Sequence, residues 1–153
     1  MKRTCNPVIE PLEGKALLAA LATPVAPVSS PIVAPVNEGL VVKLTTDHTV
    51  YHLGQPVVMT LTETNTSKHD INIGLGPSID GFFVTQNGHE VWASNTGIQP
   101  LFILLRTLKP GESVKLTATW NGHSNLGPAS TPTGTLVVHS QIPGAAPVTI
   151  RIV

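Results

Sequence analysis

From residue 38 onward, apolar residues recur mostly at alternate positions, and this period of two predicts half-buried strands where a helix would show a period near four. Gly39 to Thr46 is rich in β-branched and apolar residues, is bounded by glycine and Asp47, and reads as a first strand. From Val57 to Thr64, the threonines Thr60, Thr62 and Thr64 alternate with Met59, Leu61 and the polar Glu63, as in a sheet with one wet face. Asn65 to Asp70 is a polar turn, after which Ile71, Ile73 and Leu75 alternate into a short strand that ends at Gly76-Pro77.

Phe82 to Gln86, Asn87-Gly88 and His89 to Trp92 predict a β-hairpin. Both central positions of its tight turn need positive φ, which asparagine and glycine tolerate. Ile98 to Leu108 is apolar but contains Pro100, and reads as a crossing connection with a short strand near its end. Lys109-Pro110-Gly111-Glu112 is a second turn, and Val114, Leu116, Ala118 and Trp120 alternate away from it. After an aperiodic loop from Asn121 to Pro132, Gly134 to Ser140 and Pro147 to Val153 predict a closing strand pair. About eight short strands, with no helix-length periodic segment between them, describe a two-sheet β-sandwich.

The order and spacing of Phe83-Val84, Asn87-Gly88, Val91-Trp92, Phe102, Leu108, Pro110-Gly111-Glu112, Trp120 and Gly134-Thr135 resemble the BsuPI domain, named for an intracellular proteinase inhibitor of bacilli. The resemblance covers roughly the central half of the chain. It implies an all-β fold, an immunoglobulin-like antiparallel β-sandwich of about seven or eight strands, and more loosely a non-catalytic, proteinase inhibitor-like protein-binding module with a serine proteinase as partner. Members of that family tend to have a second aromatic after the hairpin tryptophan and a tyrosine after the late glycine, where this chain has Ala93-Ser94 and Thr135. The matched residues are turn formers and apolar anchors, which specify a fold and carry no chemistry.

The first 37 residues read differently. Residues 1–22 form a targeting-like segment: Met1-Lys2-Arg3 is positive and Ala16 to Ala22 is apolar, while Glu10 and Glu13 sit oddly for an ordinary secretory signal. Glu10-Pro11-Leu12-Glu13-Gly14-Lys15-Ala16-Leu17-Leu18-Ala19-Ala20 is similar to an export-associated motif common in planctomycete proteins, with Lys15 where arginine is more usual. A short amphipathic helix over Leu12 to Leu21 is the equally weighted and compatible reading. Pro24, Pro27, Pro31 and Pro35 favour polyproline-like backbone, so residues 23–37 read as a linker to a BsuPI-like domain at 38–153. An exported or cell-envelope location follows from the motif, and a cytoplasmic one from the family's named member. The alternative function is an exported module of the same fold with a structural or adhesive role and no inhibitory activity. The apolar run is too short to span a bilayer, so no transmembrane segment is expected.

Composition narrows the function classes. Charged residues make up 12% of the 153 and the formal net charge is zero, which argues against a nucleic-acid surface. Cys5 is the single cysteine, so no intrachain disulfide can form. The six histidines show no metal-ligand spacing, and no nucleophile elbow or phosphate loop is present. No metal, cofactor or enzyme activity is therefore expected. Asp70, Asp80 and Glu112 lie in or beside turns and are expected to bond local amides. Asn65-Thr66-Ser67 matches a glycosylation sequon, but turn chemistry is the better reading.

Trp92, Asn125 and Leu126 are the candidate protein-contact residues. Trp120 is expected between the sheets. Trp92 follows Val91, and a regular strand sends the two to opposite faces. With Val91 inward, Trp92 is an exposed contact, although core burial is the commoner outcome. The loops Asn95 to Pro100 and Asn121 to Pro132 are long enough to enter a protease cleft. Neither holds a basic residue, so Leu126 points to a chymotrypsin- or subtilisin-like pocket.

Overall fold

A computed structural model describes residues 38–153, all within one unit of the chain, Val33–Val153. The predicted N-terminal helix, targeting segment and linker lie outside the described residues. Within them are ten strands and no helix: β1 (Leu40–Thr46), β2 (Val50–Tyr51), β3 (Val57–Asn65), β4 (Ile71–Leu75), β5 (Phe82–Gln86), β6 (His89–Ala93), β7 (Leu104–Leu108), β8 (Ser113–Trp120), β9 (Gly134–Ser140) and β10 (Val148–Ile152).

The strands form a three-stranded sheet in the order β1-β3-β8, a five-stranded sheet in the order β2-β10-β9-β5-β6, and the pair β4-β7. All pairings are antiparallel except β2 with β10. Leu44, Met59, Leu61 and Trp120 from the first sheet share one core with Phe82, Val84, Leu136, Val138 and Ile150 from the second. Two sheets that bury their inner faces against each other make a β-sandwich. A second cluster, Ile71, Ile73, Leu108 and Val114, fastens the β4-β7 pair to β8.

The alternation in β3 sets its orientation. Val57, Met59, Leu61, Glu63 and Asn65 are buried while the intervening Val58, Thr60, Thr62 and Thr64 are half-buried. Two of the inward positions are thus polar. Asn65 is fully buried and uses its whole hydrogen-bonding capacity. Its Nδ2 donates to the carbonyls of His69 and Leu108, each at 2.8 Å, and its Oδ1 accepts from Ser67 N at 2.9 Å and Ser67 Oγ at 2.7 Å. The sequon is therefore turn chemistry that also stitches the end of β3 to the end of β7.

The turn at the tip of the β5-β6 hairpin has the expected conformation, with φ of 52° at Asn87 and 81° at Gly88. The two-residue strand β2 was not legible as a strand, being too short to show a period. It is held through its side chain: the Tyr51 hydroxyl, on a fully buried ring, donates to Asp47 Oδ1 at 2.6 Å and accepts from His48 N at 2.9 Å.

Candidate protein-contact surface

Trp92 lies in the core at 9% exposure, with its ring centroid 6.2 Å from that of Trp120. A β-bulge resolves the conflict with Val91. Val84 pairs with Trp92 but Thr85 pairs with Glu90, so Val91 is an extra residue that resets the phase of β6. Val91 then packs against the core as well, and Ala93 after Trp92 is also buried. Little of the tryptophan is left at the surface. Trp120 is fully buried, as expected, and its Nε1 donates to the His123 carbonyl at 2.8 Å.

Asn125 and Leu126 belong to a loop that lies along β6, the edge strand of its sheet. Asn125 acts as a side-chain clamp: its Oδ1 accepts from Ala93 N at 3.0 Å and its Nδ2 donates to Ala93 O at 2.7 Å. Beside it, Ser124 Oγ donates to the Val91 carbonyl at 2.7 Å. Edge strands with free amides and carbonyls invite unwanted pairing, and this loop caps β6 against it. Leu126 is half-buried, and its carbonyl lies 2.8 Å from Ser124 Oγ, sharing that hydroxyl's one proton with the Val91 carbonyl, so the loop folds back on itself instead of extending.

The exposed apolar surface lies elsewhere. Ile98, Leu101 and Leu105 are 103%, 95% and 82% exposed, and Phe102, Ile103 and Leu104 are each half or more exposed. Six apolar side chains within eight residues are left exposed, a concentration that monomeric proteins seldom leave uncovered. Its backbone is anchored at both ends. Asn95 Nδ2 donates to the Pro77 carbonyl on one side, and β7 pairs with β4 on the other. The Phe102 carbonyl packs so closely over Gly76 that a Cβ there would collide with it. In sequence the run is apolar and reads as a crossing connection. Hydropathy alone suggests burial, and only the fold leaves these side chains outside.

Two of the three turn carboxylates bond local amides as expected. Asp80 Oδ2 accepts from Gly76 N at 2.7 Å, and Glu112 Oε2 accepts from Lys109 N at 3.0 Å while Oε1 meets Arg106 Nη2 at 3.0 Å. The Lys109 amide and the Arg106 guanidinium hold the Glu112 carboxyl below its ordinary range. Among the described residues no three His, Cys, Asp or Glu side chains converge, and no helix is long and apolar enough to cross a membrane.

No family model and no curated protein matches the sequence. Among solved structures the chain is similar to a β-glucosidase from Erythrobacter marinus, at 11% identity and a TM-score of 0.45 over 74% of this chain and 16% of that one. It is similar to an alkylpurine DNA glycosylase from Pseudomonas fluorescens, at 13% identity and 0.46 over 74% of this chain and 30% of that one. It is also similar to a CARDB domain from Pyrococcus furiosus, at 15% identity and 0.41 over 75% of this chain and 94% of that one. The chain thus spans less than a third of either enzyme, and the activities in those names belong to those proteins.

Proposed function

We propose that residues 38–153 are an immunoglobulin-like, non-catalytic protein-binding module of the proteinase-inhibitor type, and that its contact element is the segment Ile98 to Leu105. The observation that carries this reading is the run of exposed apolar side chains on a backbone anchored at both ends. A serine proteinase cleft takes an extended, pre-ordered segment, because the ordering cost is then met before binding. No lysine or arginine lies between Asn95 and Leu105, so the fitting enzymes have an apolar specificity pocket, and Leu101, unbranched at Cβ and 95% exposed near the middle of the segment, is the side chain to fill it. Leu126, half-buried and turned onto its own loop, is the poorer candidate.

The test is residual activity of subtilisin and of chymotrypsin with the full chain in excess. Dose-dependent inhibition of at least one enzyme is expected, and the variant Leu101→Asp should relieve it. This substitution lies at a nearly fully exposed position and should leave stability within about 0.5 kcal/mol of wild type. Unchanged activity of both enzymes, or inhibition that survives Leu101→Asp, overturns the proposal.

A further inference from the structure

Five elements converge on a cavity of about 410 Å³. Leu40 of β1, Ile73 of β4, Ile79 of the β4-β5 connection and Ile142 of the β9-β10 connection supply apolar walls, and Glu63 of β3 supplies a carboxylate. Its volume falls within the range of about 300–1,000 Å³ usual for small-molecule pockets. Glu63 is 3% exposed, and among the described residues no hydrogen bond reaches its carboxylate. A carboxylate in that position is costly, because ionisation without a donor or a counter-charge forfeits its hydration. A leucine or valine at position 63 would continue the alternation of β3 at no such cost.

The neighbouring acid deepens the imbalance. Asp80 Oδ1 is buried without a hydrogen-bond partner in the protein, although Oδ2 accepts from the Gly76 amide. Desolvation first, and then the charge of Asp80, push the Glu63 carboxyl above its ordinary range. Desolvation likewise raises Asp80, against the Gly76 bond that lowers it. Among the described residues, neither lysine nor arginine lines the cavity. A cationic ligand with an apolar body would supply the charge that the described lining lacks and hydrocarbon for its apolar walls.

We propose that this cavity binds a small apolar primary amine, its ammonium donating to Glu63 and its hydrocarbon body lying against Leu40, Ile73, Ile79 and Ile142. The donors of an ammonium meet the unpartnered Glu63 carboxylate, and its charge offsets that of the neighbouring Asp80. The site is separate from the Ile98 to Leu105 contact element in its residues, and the proposal does not depend on proteinase inhibition.

Calorimetric titration of the full chain with hexylamine, hexanol and hexanoate tests it. Hexylamine is expected to bind at least about tenfold more tightly than hexanol, the factor that one charge-assisted hydrogen bond supplies, and hexanoate least of all. Glu63→Gln keeps the side-chain volume and removes the charge, so it should fold and bind hexylamine and hexanol alike. Asp80→Asn should weaken the amine less than Glu63→Gln does. Equal binding of amine and alcohol by the wild type, no binding of hexylamine, or an amine preference that survives Glu63→Gln each overturns the assignment.

Discussion

Replacing Asn65 by alanine removes four hydrogen bonds at one stroke, and their surroundings set the cost. The bond from Nδ2 to the Leu108 carbonyl is buried, so its loss strands an acceptor that water cannot reach, at about 1–3 kcal/mol. The bonds to the His69 carbonyl, Ser67 N and Ser67 Oγ are partly buried, and water can replace Asn65 there at about 0.5–1.5 kcal/mol each. A total loss of about 2.5–7.5 kcal/mol is expected, a large share of the roughly 5–15 kcal/mol that holds an ordinary domain folded. Asn65→Asp separates donor from acceptor roles. It keeps the acceptor for both Ser67 groups but turns an anionic oxygen toward two carbonyls, so at neutral pH it should lose more than Asn65→Ala. Burial raises the pKa of the introduced carboxyl above its unfolded value, so its folded state holds the proton longer. The variant should therefore regain stability as pH falls and lose it as pH rises. Urea unfolding followed by tryptophan fluorescence measures both, since Trp92 and Trp120 are buried in the same core. Asn65→Ala within about 0.5 kcal/mol of wild type, or Asn65→Asp no worse than Asn65→Ala at neutral pH, would refute the stitch between β3 and β7.

Two further outcomes follow from the hydrogen bonds at the sheet margins. Tyr51 is the single tyrosine, so an absorbance titration of the phenol reports it alone; desolvation, then the bond donated to Asp47, push it from 10.0 to about 12. With the folded pKa raised, the stability it contributes is complete below pH 10.0 and is lost as pH rises through about 12, and a midpoint near 10.0 in the folded protein would contradict the buried Tyr51–Asp47 contact. Asn125→Ala should lower stability by about 1–2 kcal/mol and speed hydrogen exchange at the Ala93 amide, while unchanged exchange there would show that the clamp on β6 carries no load.

Local rules reached far into this fold where the cause of a structure lies within a few residues. Asn87-Gly88 adopts positive φ because its own backbone requires it, and the threonine alternation of β3 reports which face is inward. The phase of β6 escaped, because one bulged residue, Val91, undoes the assumption of an unbroken period of two. Asn65 was legible as a turn former, but its bond to Leu108 spans 43 residues and belongs to the assembled sheets. The contact candidates divided in the same way. Trp92 and Asn125 are polar or aromatic residues near turns, a type that equally serves packing and clamping, and the fold uses them so. The exposure of Ile98 to Leu105, and the placing of Glu63 at a cavity built by four other elements, depend on contacts distant in sequence.

The position of β10 bears on how the protein is made. It is the last of the ten strands along the chain, yet it lies between β2 and β9, and it supplies Ile150 and Ile152 to the main core. During synthesis β1, β3 and β8 can pair as soon as Trp120 clears the ribosome, but β2 has no partner until Ile152 emerges. Throughout that interval β2 and one edge of β9 lack their strand partner, so the nascent chain exposes unpaired backbone until β10 is delivered. A stalled or prematurely ended message would therefore leave a half-built sandwich with an open sheet edge, a product suited to aggregation and proteolysis.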